Sequence, residues 1–392
     1  MASPNTLTNL IPFMYAGMDR VSRELVGFIP AVSRDSTVDA VKIGQTVNVP
    51  IVGAITPVSI TPGSFAPDTG GVTPGNTTIT ISNQYAAPIA YNGDEQLAIS
   101  ETGIYNSVIS QRFEQAFRGI VSLVEADLAA LHIKASRAQG TDGTQPMATA
   151  GNFTDLTNAM KILKDNGAPQ GDLQCVLSST ATANMMGLQS TLFKVNEAGT
   201  SDLLRQGRIG SIFGVDMHES GSVKQDVTIG TAASATSTSA AFTVGQTLIP
   251  LATAGTGLII AGDIVTFAND TNKYVVTSVV FAGANPASGD TITLAEPGLR
   301  VAQGVATRAI TLIAATDRNM LFSKSAIILA TRTPYMPYGG DGAADVYDFT
   351  DPVSGLTFQI AEYKGYRQTH FEVGLAWGVK VIAPRHTALM IG

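Results

Sequence analysis

Few side chains in this sequence are typed and spaced for chemistry. Histidine occurs four times, as His132, His218, His370 and His386. No two stand at the i, i+4 spacing that turns two imidazoles toward one metal on a helix, so each reads as a packing or surface histidine. Cys175 is the only cysteine. It sits in the apolar run Leu173 to Leu177 and reads as a buried, inert thiol; one cysteine also excludes an intrachain disulfide and a cysteine-rich metal site. Asp68-Thr69-Gly70 matches the core tripeptide of aspartic peptidases. That chemistry needs two carboxylates sharing a proton, which one copy supplies only across a dimer axis. Here the tripeptide lies among Pro62, Gly63, Pro67 and Pro74 without a flanking apolar strand, so a loop is expected.

Other patterns are equally bare. Gly255, Gly257 and Gly262 lack the Lys-Ser/Thr ending of a phosphate loop and read as turns. No G-x-S-x-G elbow is present. Asp341, Asp345, Asp348 and Asp351 form the densest acidic cluster. Carboxylates at this spacing suit Ca²⁺, but no glutamate closes a calcium loop; a solvated loop, or a partner for arginine on a neighbouring subunit, is expected. Arg112, Arg118, Lys134 and Arg137 fall along one helical stretch with acids interspersed, which points to a solvated face or to intersubunit pairs. No catalytic residue, cofactor or metal is expected, and the chain does not read as an enzyme.

Composition turns attention to association. The chain has 392 residues, room for about two domains. The formal charge of −7 argues against a sequence-independent nucleic-acid clamp, which needs an excess of lysine and arginine. Charged residues make up only 14% of the chain, against about 25% in an ordinary soluble protein. Depletion of charge is typical of surface that becomes interface, so extensive self-association is expected. No apolar run approaches the length of a membrane span, and the N-terminal residues do not read as a secretory signal.

The elements follow from periodicity. Residues 1–45 read as an arm with one short amphipathic helix on Met14, Met18, Val21 and Leu25. Over 46–91, alternating Val47, Val49 and Ile51 and alternating Ile79 and Ile81 flank a turn-rich stretch, which predicts an extended hairpin. Such a ribbon is marginal alone in water and needs a neighbour. From Gly103 to Arg137, Ile104, Val108, Phe113, Phe117, Ile120, Val124, Leu128 and Leu131 mark one stripe of a helix about 50 Å long. An α/β alternation follows, with a helix after Thr154, a strand from Leu173 to Leu177, a helix from about Thr180 to Leu192, and a Gly-bracketed turn before a strand over 214–218. Residues 223–312 are rich in Thr, Val, Gly and Ala, with short alternating runs at Phe242 to Val244, Ile264 to Phe267, Tyr274 to Val280, Ile292 to Leu294 and Ile310 to Leu312. They read as an inserted β-barrel or sandwich. Strands return after Asp317.

Four stretches carry a family likeness: TVNVPIV over 46–52, GDEQL over 93–97, RIGSIFGVDM over 208–217 and ATDRNMLFSKSAI over 315–327. With the order of parts, they make the chain resemble the major capsid proteins of tailed bacteriophages with the Hong Kong 97-type fold. The likeness is nearest to coat proteins of short-tailed, Salmonella-type phages that carry an extra β-barrel. The resemblance implies an α+β fold with an N-terminal arm (1–45), an extended hairpin (46–91), a peripheral domain with the spine helix (92–151), an axial domain (152–222 and 313–392, the latter including closing peripheral strands) and an inserted all-β domain (223–312). It implies a structural role: pentamers and hexamers closing into an icosahedral shell in the virion, made in the host cytoplasm. Scaffolding protein, portal protein and in some cases decoration proteins would be partners, and double-stranded DNA would be enclosed without sequence-specific binding. Subunit contacts are expected at Asp68, Arg112, Arg118, Asp270, Lys273, Asp341 and Asp345. An encapsulin-like nanocompartment is the alternative within this fold. A secreted β-domain adhesin or a hydrolase built on Asp68 are the readings from other classes.

Overall fold

A computed structural model of the chain describes residues 12, 14–21, 26–51, 75–101, 105–189, 210–337, 341–351 and 354–392. The parts of the expected arm and hairpin at 1–11, 22–25 and 52–74, with Leu25 and Asp68, lie outside them, as do Gly103, Ile104 and 190–209. In chain order, strands β1 (Ser33–Val41), β2 (Thr46–Ile51), β3 (Gly75–Thr80) and β4 (Asn83–Asn92) precede the long helix. After it come β5 (Arg137–Gly140), β6 (Leu173–Leu177), β7 (Ser211–Ile212) and β8 (Val215–Glu219). The Thr- and Val-rich block contributes β9 (Leu248–Pro250), β10 (Ile264–Phe267), β11 (Lys273–Val280), β12 (Thr291–Leu294) and β13 (Ile310–Ile313). The chain closes with β14 (Asn319–Ser323), β15 (Ile327–Pro334), β16 (Ala343–Thr350), β17 (Thr357–Gly365), β18 (Gln368–Val381) and β19 (Thr387–Ile391).

The apolar stripe forms a helix over Tyr105–Ala130, tightened into a 3-10 turn at Leu131–Lys134. Its 26 residues span about 39 Å, shorter than the stripe predicts. The reason is tertiary: Arg137 to Gly140 are taken as β5, antiparallel to β11 and parallel to β19. Phe113, Phe117, Ile120, Val124 and Leu128 are fully or almost fully buried. They face a six-stranded sheet of order β1-β15-β18-β17-β16, with β4 along the other side of β18. Phe113 meets Phe371 edge-on at 5.6 Å, and Phe117 meets Phe358 at 5.2 Å, a favoured aromatic geometry.

β2 and β3 pair with each other as a separate two-stranded sheet, Thr46 opposite Thr80 through Ile51 opposite Gly75. The hairpin expected over 46–91 is therefore divided. Its last part is β4, which makes a ten-pair ladder with β18 from Asn83–Trp377 to Asn92–Gln368.

An eleven-stranded sheet runs β13-β10-β11-β5-β19-β14-β6-β8-β7, with β12 and β9 branching from β11. The helices Thr154–Asp165 and Ser179–Leu188 flank it; the second is capped by Ser178 Oγ, which accepts from Ala181 N at 3.2 Å. The block of β9 to β13 has an apolar cluster of its own that includes Phe242, Ile249, Phe267 and Ile292. Residues 235–238 bond both Ala309–Ile310 beside β13 and Pro250–Leu251 at the end of β9, joining the two ends of β13-β10-β11-β12-β9, and β11 also bonds β5 at Lys273–Ala138 and Tyr274–Arg137. No helix among the described residues is long and apolar enough to cross a membrane.

Candidate assembly surface

The β2–β3 ribbon is fixed at its root. Ile79 and Ile81 are buried with Val41, Ala330 and Ala376, and Val47 and Val49 pack against them. Gly44, at φ 86°, turns the chain so that its N–H reaches Ile81 O at 2.9 Å, while Ile81 N reaches Gln45 O at 2.9 Å. Lys380 Nζ donates to Thr78 O at 2.8 Å. At Gly378 the backbones approach so closely that a Cβ would lie 2.2 Å from Thr80 O. Beyond this root, Asn48, Gly75, Asn76 and Thr78 are exposed. The ribbon is thus fixed at its base along one face and, among the described residues, exposed on the other.

The long helix is clamped by its acids. Glu125 is 1% exposed; its carboxylate accepts from Phe28 N at 3.0 Å, Ile29 N at 2.8 Å and Ser220 Oγ at 2.7 Å. Burial pushes its pKa up against the pull of these donors. Asp127 Oδ2 accepts from Trp377 Nε1 at 2.7 Å and Asn83 Nδ2 at 2.5 Å. Glu114 pairs with Arg118 at 3.3 Å and Arg20 at 3.6 Å. Arg112 donates to Ala90 O at 3.3 Å and lies 4.5 Å over the Tyr91 ring. Several acids of this helix are thus tied within the chain, while Arg112 is exposed and Arg118 half-buried, each also making a contact within the chain.

The acidic cluster is also placed differently. Asp345 and Asp348 are on a strand, with Asp341 and Asp351 just outside it: β16 is an outer strand of the six-stranded sheet, and carboxylates on such an edge oppose pairing with further strands. Asp341 and Asp345 are exposed. Asp341 accepts from Tyr363 Oη at 2.5 Å, which holds its carboxyl below the usual range; Asp345 accepts from Val346 N at 2.9 Å. Burial pushes the pKa of Asp348 up, and Asp351 is buried. Asp270 is 7% exposed and accepts from Tyr274 Oη at 2.7 Å and from Asn272 N and Nδ2 at 2.9 and 2.7 Å. Lys273 Nζ donates to Gly140 O. Asp270 is therefore turned inward and Lys273 is tied to its own subunit. The run Asn-Asp-Thr-Asn over 269–272 carried the signal, because Asp and Asn side chains bond their own backbone two residues on.

Burial pushes His132 down to about 4, and lowers His218 and His386. His218 Nε2 bonds Gln174 Oε1 at 2.8 Å. Among the described residues no group of three His, Cys, Asp or Glu is arranged to hold a metal. Cys175 is buried, which pushes its thiol pKa up.

No protein-family model matches the chain, and no curated protein matches it in sequence. Solved structures do resemble it. A chain of the capsid of Cyanophage P-SCSP1u is similar at 11% identity and a TM-score of 0.48, over 92% of this chain and 86% of that one. A chain from Mycobacterium phage Che8 is similar at 10% identity and a TM-score of 0.43, over 88% and 84%. A chain of a virus-like particle from Pyrococcus furiosus is similar at 8% identity and a TM-score of 0.41, over 96% and 97%.

Proposed function

We propose that this chain is the major capsid protein of a tailed double-stranded DNA bacteriophage, with the Hong Kong 97-type fold, assembling as pentamers and hexamers into an icosahedral shell. The observation that carries the reading is the ribbon. Among the described residues β2 and β3 pair only with each other, and they are pinned at one end to Gly378 and Lys380. A two-stranded sheet with one face exposed along its length is marginal alone and is completed by the body of a neighbouring copy. Low charge and the four sequence stretches of the resemblance support the same reading. Residues 223–312 are the inserted domain in this scheme, and the exposed Asp341, just before the outer strand β16, and Asp345, on it, are the acidic contact residues. Scaffolding and portal proteins are the assembly partners, and the enclosed DNA needs no dedicated groove. The function is structural, without turnover.

The test is co-expression with the scaffolding protein of the same genome, followed by sedimentation and negative-stain microscopy. Closed particles of uniform size are expected. Replacing 52–74 with a short Gly-Ser turn should leave a folded subunit that no longer closes shells. A monodisperse monomer from the intact chain with scaffold present would overturn the proposal, and particles filled with an enzyme instead of DNA would replace it by the nanocompartment reading.

A further inference from the structure

Where the β-block meets the body, a cavity of about 310 Å³ opens between β5, the helix Thr154–Asp165 and residues 271–273. Three cations line it, Arg137, Lys161 and Lys273, against one carboxylate, Asp165. In a chain of net charge −7 this is a local inversion of sign. Arg137 is 5% exposed; it donates to Asn272 Oδ1 at 2.7 Å and lies 3.7 Å from Asp165. Its Nε is buried with no hydrogen-bond partner among the described residues. Burial lowers the pKa of both Arg137 and Lys273, for Arg137 with Arg300 adding like charge, against the pull of Asp165 on Arg137 and of Asp155 on Lys273. Lys161 is exposed.

The geometry points to a binding site for a small multivalent oxyanion, of the size class of pyrophosphate, held by Arg137, Lys161 and Lys273. The cavity is at the lower end of ligand-sized pockets, and convergent lysine and arginine donors match phosphate oxygens. An apolar ligand finds little to bury against. The site spans both sides of the β5–β11 junction, so a bound anion would tie block to body. This holds whether or not the chain builds a shell.

Isothermal titration of the full-length subunit with pyrophosphate at constant ionic strength tests it. Saturable binding at one site per chain is expected. Lys161→Ala and Lys273→Met should each weaken it about tenfold or more, the loss of one charge-assisted contact. Hydrogen exchange at 137–140 and 271–273 should slow when pyrophosphate is bound. Phosphate carried on nucleic acid is separated by a parallel titration with a short DNA duplex: tighter binding of the duplex that is lost in Lys161→Ala would assign the site to backbone phosphate instead. No saturable binding of pyrophosphate, or affinity unchanged in Lys161→Ala, would overturn the proposal. Lys161 is exposed on a helix, so that variant is expected to fold.

Discussion

Gly378 and Thr80 touch backbone to backbone: a Cβ added at Gly378 would lie 2.2 Å from Thr80 O. The contact joins the strand that crosses the main sheet to the root of the ribbon. It makes position 378 a steric requirement, whatever helix or strand propensity prefers.

Gly378→Ala is therefore expected to destabilise the subunit by about 1–3 kcal/mol, the range of overpacking in a filled site. It should also loosen the ribbon root. Gly119, in the long helix with nothing within 4 Å of its Cβ position, is the control; Gly119→Ala should stabilise by about 0.5–1 kcal/mol. Urea unfolding of the two variants reads the opposite signs.

Glu125→Ala should cost more than either. It leaves Phe28 N and Ile29 N buried without acceptors, and each orphaned donor costs about 1–3 kcal/mol. Proteolysis near residues 26–31 should accelerate before global unfolding, since these residues are held to the helix through this carboxylate. Unchanged cleavage there would count against the clamp.

Acid should act through His132. Its pKa falls from 6.5 in the unfolded chain to about 4 when folded, chiefly because burial disfavours the cation, with Arg318 and Lys224 adding repulsion. The unfolded chain binds the proton more tightly, so the stability this histidine contributes is complete above pH 6.5 and lost as pH falls toward 4. The loss is about 3 kcal/mol at most. Glu125, whose pKa is raised, has the opposite sign, so the readout is a difference. Wild type minus His132→Phe, measured by urea unfolding from pH 7.5 to 4.5, should fall across that window; a flat difference would refute it.

Cys175 should resist DTNB in the native subunit and react at once in guanidinium. It is fully buried and its thiol is pushed up by burial, so neither access nor thiolate is available.

Much of the fold was legible because period and burial agree. The Phe113–Phe117–Val124–Leu128 stripe, the alternation at 46–51 and the helix after Thr154 each have a local cause. What was not legible depended on distant partners. No local pattern says that Arg137, at the end of the expected helix, starts a strand running to Gly140, since the cause is β11 and β19. Glu125 and Asp127 read as surface acids until the Phe28 and Trp377 donors are in place. Asp345 and Asp348 read as loop residues because acids are poor strand formers, yet pairing with β17 outweighs that preference. Of the contact residues, Asp270 is the one whose own turn chemistry argued for an internal role.

The junction of β5 with β11 has a mechanical meaning. Two residue pairs carry the ladder there, against four between β14 and β19, and the Arg137–Asn272 and Lys273–Gly140 hydrogen bonds are its only side-chain rivets among the described residues. In the proposed shell, loosening these two side-chain bonds would ease the strand junction first, while Ile264, Val275 and Ala295 keep the block packed on the main core.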